Sequence, residues 1–87
     1  MGLIFPNLSR SFDASRDTIR FWGYDTTIEC PFFVTRAALR GLMPEMALDE
    51  AALLETFDRH RDLICMTAAR LYTRGRKGSY VLDLPDF

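Results

Sequence analysis

Hydrophobic and polar residues alternate in the first half of the chain and recur with helical spacing in the second. Residues 18–24, Thr-Ile-Arg-Phe-Trp-Gly-Tyr, are rich in β-branched and aromatic side chains, which favour a pleated, half-buried surface. Residues 27–34 have the same character, and Asp25-Thr26 between the two runs can turn the chain. A shorter strand is expected over 10–13, and Asp13, Ser15 and Asp17 are available to cap the turn after it. Successive strand residues point to opposite faces. Ile19, Phe21 and Gly23 therefore share a face with Ile28, Cys30, Phe32 and Val34. Arg20, Trp22 and Tyr24 share the other with Thr27, Glu29, Pro31 and Phe33. Gly23 and Pro31 suggest a bulge or an edge rather than a central ladder.

In the second half the period changes. Thr35 can cap a short helix running to Leu42, and Pro44 lies just beyond it. Asp49 is a good cap for a second helix, with Glu50 in its first turn where the helix dipole favours an acid. Leu53, Phe57, His60, Ile64, Ala68 and Leu71 then mark one helical face over five turns. Leu54, Arg61, Cys65 and Tyr72 widen that stripe. The pattern predicts a single amphipathic helix over 49–74, with Gly75 as its natural stop. A last strand is expected over 79–84. Residues 1–9 read as an N-terminal arm, with Phe5 tucked down. The expected fold is α+β: a small antiparallel sheet of three to four strands, in β-β-β-α-α-β order, packed against one short and one long helix.

Size sharpens that expectation. The chain has 87 residues, which fits one domain over 1–87 with a modest core. A 26-residue helix spans about 39 Å, whereas a compact body of this length is about 31 Å across. The helix would outrun its own domain, and residues 64–72 would need a cover. Either the strand over 79–84 or a second subunit can supply it.

Net charge is −1, so no global field draws nucleic acid or anionic lipid. The charge is unevenly placed. Asp49, Glu50, Glu55, Asp58 and Asp62 outnumber Arg59 and Arg61, and Arg70, Arg74, Arg76 and Lys77 follow without an acid between them. This basic segment, 70–78, is the place where nucleic acid would be gripped. It has neither the spacing of a phosphate-binding P-loop nor a dinucleotide fingerprint, and cations at a helix C-terminus also satisfy the dipole. No run of 18 apolar residues is present, so no membrane-spanning helix is expected. The first residues lack a basic segment and a long apolar run, so they do not read as a signal peptide. Cys30 and Cys65 sit on separate elements without a second ligand two to four residues away, which fits structural thiols in a reducing cytoplasm better than a metal site or redox pair. His60 is the one histidine. It reads as a residue of the helical seam, because no partner stands at a spacing diagnostic of a general base. No cofactor and no catalytic activity are expected.

The aromatic side chains on the strands are more informative. Trp22, Tyr24 and Phe33, interleaved with Arg20, form a set of the kind found at interface cores. The competing reading is that the arm, with Phe5, or a bulge at Gly23 hides these rings. Glu29 among them argues against RNA stacking on this face. The leading expectation is a non-catalytic interaction module that forms a homodimer. The alternative is a small nucleic-acid-associated regulator using Arg70, Arg74, Arg76 and Lys77.

Three further stretches carry a resemblance. They are Ser9-Arg10-Ser11-Phe12-Asp13 with Ile19-Arg20-Phe21-Trp22-Gly23-Tyr24-Asp25; Phe57-Asp58-Arg59-His60-Arg61-Asp62 with Ile64; and Ala69-Arg70-Leu71-Tyr72 with Ser79-Tyr80-Val81-Leu82 and Asp86-Phe87. In combination they resemble the bacterial domain-of-unknown-function family 1488, over nearly the whole chain. The resemblance implies a bacterial cytoplasmic α+β domain and brings no catalytic or binding residues with it.

Overall fold

The computed structural model describes residues 3–6, 9–47, 49–73 and 79–87. Three strands come first: β1 (Ser11–Asp13), β2 (Thr18–Asp25) and β3 (Ile28–Thr35). Three helices follow: α1 (Arg36–Leu42), α2 (Glu50–Arg59) and α3 (Arg61–Thr73). Strand β4 (Tyr80–Leu82) and a 3₁₀ turn (Leu84–Asp86) complete the order. The strands form one sheet in the order β1-β2-β3-β4. The α+β class is as expected.

Antiparallel pairing holds β1 to β2 and β2 to β3. Strand β4 runs parallel to β3, with Phe32 opposite Tyr80 and Val34 opposite Leu82. The sheet is therefore mixed rather than wholly antiparallel. Parallel neighbours need a long crossover, and the three helices between β3 and β4 supply one. The β2–β3 register is continuous from Thr18–Thr35 to Asp25–Ile28, so neither Gly23 nor Pro31 marks a bulge. Pro31 lies where β3 has no β4 neighbour, since β4 pairs only from Phe32 onward. Gly23 admits the arm. Ile4 and Tyr24 exchange backbone hydrogen bonds of 2.9 and 2.7 Å. A Cβ at Gly23 would stand 2.8 Å from both the Ile4 carbonyl oxygen and Phe5 Cε1.

Both expected caps are present. The Thr35 hydroxyl accepts from the Ala38 N–H, and the Asp49 carboxylate accepts from the Ala52 N–H. The single helix over 49–74 is not formed as one piece, because the chain breaks at His60, with φ −111° and ψ 22°. The His60 N–H bonds the carbonyls of Thr56 and Phe57 at once, and its ring Nδ1 lies 3.0 Å from the Thr56 carbonyl. A carbonyl only accepts, so Nδ1 carries the proton. Neither half now outruns the body, whose extents are 37 × 23 × 23 Å.

All three helices lie on one face of the sheet. Ile19, Phe21, Cys30, Phe32, Val34, Tyr80 and Leu82 point into that layer and form one core with Leu39, Leu53, Phe57, Ile64 and Ala68. Leu3 and Phe5 pack against its rim. The rings of Phe21 and Phe32 stack 5.5 Å apart, and Phe57 and Tyr80 extend the cluster at 5.0 and 5.2 Å. The chain's own β4 covers α3: Tyr72 and Tyr80 lie 5.8 Å apart, and Ile64 and Ala68 are fully buried. No second subunit is required there.

Candidate interaction surface

Register decides which side chains occupy the sheet face opposite the helices. Antiparallel pairing at Trp22–Pro31 and Tyr24–Glu29 places Thr18, Arg20, Trp22 and Tyr24 beside Thr35, Phe33, Pro31 and Glu29. The division of the hairpin into two faces is as the alternation predicts. Ile4, bridged to Tyr24, and Val81, opposite Phe33, join the outer face. Both are more than half exposed, at 57% and 55%. Reading the hairpin alone misses them. Their signal is the alternation of Leu3-Ile4-Phe5 and of Tyr80-Val81-Leu82, in which the middle residue faces away from the core.

The aromatic rings on this face are treated unequally. Trp22 and Tyr24 are half-buried. Phe33 is buried, at 6% exposure, although it points away from the core. The arm is not the cause. Phe5 lies on the other side of the sheet, 5.9 Å from both Phe21 and Phe32. The guanidinium of Arg16 covers Phe33 instead, 4.4 Å above its ring, and Arg20 stands 6.0 Å from it and 5.4 Å from the Trp22 ring. Such cation–π contacts stabilise by about 0.5–1 kcal/mol at exposed sites. Arg16 reaches back because the 13–18 turn folds over the face. Asp13 accepts from the Ser15 hydroxyl and from the backbone N–H of Ser15 and Arg16, and Asp17 takes a left-handed φ of 54°. These donors, Ser15 foremost, hold the Asp13 carboxyl below its ordinary range. Asp17 is likewise lowered by the Arg36 guanidinium, which grips it at 2.6 and 2.9 Å.

The other candidate residues fall elsewhere. Arg70 is exposed and donates to the Asp86 carbonyl at 3.0 Å. Arg74, Arg76 and Lys77 lie outside the described residues. His60 sits partly buried at the break between α2 and α3. Beside it Asp58 accepts a two-pronged bond from Arg10 at 2.9 and 2.8 Å and a third from Arg61 at 3.1 Å, which lowers its carboxyl. Cys30 is buried and Cys65 partly buried, and both are free thiols. Burial pushes the Cys65 thiol up, away from the thiolate that nucleophilic chemistry needs. At the far end of the sheet the Tyr72 hydroxyl donates to Asp25 at 2.5 Å, and its pKa is raised to about 12, first by that bond, then by burial and by Cys30. Among the described residues no group of three metal-ligating side chains assembles, and no helix is long and apolar enough to cross a membrane.

A two-layer α+β domain with one bare, arginine-capped sheet face is the class that fold and surface define. The family model described as protein of unknown function (DUF1488) matches residues 3–82, and the chain belongs to that family. Its fold is similar to the crystal structure of a DUF1488-family protein of unknown function from Shewanella loihica. The TM-score is 0.82 at 18% identity, over 93% of this chain and 91% of that one. At that identity the likeness concerns the fold alone. No curated protein matches the sequence.

Proposed function

We propose that this chain is a non-catalytic interaction module of the bacterial cytoplasm, and that it self-associates through the outer face of its sheet. The observation that carries the reading is the bare face itself. Every helix packs on the opposite side, while Trp22 and Tyr24 remain half-open here beside exposed Ile4 and Val81. Aromatic residues and arginine are the side chains enriched at the cores of protein interfaces. The bound occupant is a second copy of this chain, because the face carries its own charge complement. Arg20 lies toward one end and Glu29 toward the other, and among the described residues neither enters an ion pair. On the helical side, the large exposed apolar side chains among the described residues, Ile28, Leu63, Met66 and Leu84, are spread over a strand end, a helix and the 3₁₀ turn.

Sedimentation velocity over a concentration series tests the reading. A dimer that weakens in Trp22→Ala, with far-ultraviolet circular dichroism unchanged, supports it. A wild-type chain that stays monomeric at several hundred micromolar rejects it. Retardation of a nucleic acid at low salt that fades steeply as salt rises would instead favour the basic segment at Arg70, Arg74, Arg76 and Lys77.

A further inference from the structure

Resting on that reading, the geometry points to a specific register: we infer that two copies stack outer face to outer face with Arg20 of each against Glu29 of the other. Arg20 pairs across the ladder with Phe33, and Glu29 pairs with Tyr24. The two charges are thus four residues apart along the hairpin and one strand apart across it, about 14 Å between Cα atoms. That distance keeps them from neutralising each other within one chain. Trp22 and Pro31, directly opposite one another, mark the midpoint between them.

This placement has a symmetry consequence. A two-fold axis lying between the two faces and running across the strands over the Trp22–Pro31 pair carries the Arg20 end of one copy onto the Glu29 end of the other. The one-strand offset between β2 and β3 is taken up by a modest tilt of the strands, of the size seen in aligned sheet packing, about 30°. The contact is isologous and closes on itself, so it yields a dimer rather than a filament. Trp22 of both copies meets at the centre, where energetically dominant aromatic anchors lie in most interfaces. Two charge pairs flank it. The alternative stacking, with strands running the same way, sets Arg20 against Arg20 and Glu29 against Glu29 and is opposed by like-charge repulsion. Arg20 therefore has two tasks. It stacks on its own Trp22, and it presents its cation to the partner's carboxylate.

Charge exchange tests the register. Arg20→Glu and Glu29→Arg alone each place like charges together twice per dimer and weaken self-association by about tenfold or more. The double variant, Arg20→Glu with Glu29→Arg, restores opposite charges at both places, and so does an equimolar mixture of the two single variants. Dimerisation in both cases returns to within a few-fold of wild type, which also shows that the single variants are folded. Raising salt narrows the difference between single and double variants. If the single variants dimerise like wild type, or the double variant and the mixture stay as weak as the singles, the register is wrong. The outer-face reading survives that result as long as Trp22→Ala still dissociates the dimer. A monomeric wild type overturns both.

Discussion

The two faces of the β2–β3 hairpin are built from neighbouring residues, yet they solve the same problem in different ways. On the helical side Ile19, Phe21, Phe32 and Val34 are at most 1% exposed, and other apolar side chains do the covering. On the outer side Phe33, one residue from Phe32 and Val34, is also buried, but arginine side chains do the covering. A helix-covered ring is removed from water by elements that the rest of the fold holds in place. An arginine-covered ring is shielded by an amphipathic side chain that keeps its charge in solvent. The first arrangement supplies stability. The second shields the ring without a packed layer of apolar side chains over it.

The largest expected difference between the faces is energetic. Phe32→Ala leaves a cavity among Phe5, Phe21 and Tyr80 and costs about 3–5 kcal/mol in chemical denaturation. Phe33→Ala, where the guanidinium of Arg16 can settle into the space, costs less, about 1–2 kcal/mol. Equal losses would show that the two faces cover their rings equally well.

A smaller effect is expected at Gly23, where the arm seals the edge of the core. Gly23→Ala drives a methyl group to 2.8 Å from the Ile4 backbone, so the strand or the arm must shift, at about 1–3 kcal/mol. Hydrogen exchange should show protection lost at the Ile4 amide, which donates to Tyr24, and kept in β3.

The smallest effect concerns pH. The folded state holds the Tyr72 proton up to about 12, above its usual 10. A raised pKa contributes stability that is complete below pH 10 and is lost as pH climbs through about 12. Tyr72→Phe should remove that alkaline dependence, and spectrophotometric titration of the phenols should lose its latest component. An unchanged alkaline limb in Tyr72→Phe would show that Asp25 does not retain the proton.

Much of this architecture is legible in the residues. Alternation places the two faces of the hairpin, and Thr35 and Asp49 announce their helices. Other features depend on information that no short stretch contains. His60 carries no glycine or proline signal, and the apolar stripe runs through it from Phe57 to Ile64, so the break is invisible to periodicity. It shows in the backbone alone, where His60 leaves the helical region at φ −111° and ψ 22°. The direction of β4 is not written in its own residues; parallel pairing also needs the long helical crossover before it. The burial of Phe33 rests on Arg16, seventeen positions away, swinging back over the sheet from a turn. Tyr72 meets Asp25 only once α3 has docked.

We propose that the outer face is where two copies meet. Sedimentation equilibrium of wild type and Trp22→Ala, side by side over a hundredfold concentration range, tests it most directly. Wild type is expected to show a monomer–dimer equilibrium and Trp22→Ala to be shifted to monomer, with its far-ultraviolet circular dichroism unchanged. A wild type that is monomeric throughout, or a dimer indifferent to the loss of Trp22, would contradict it.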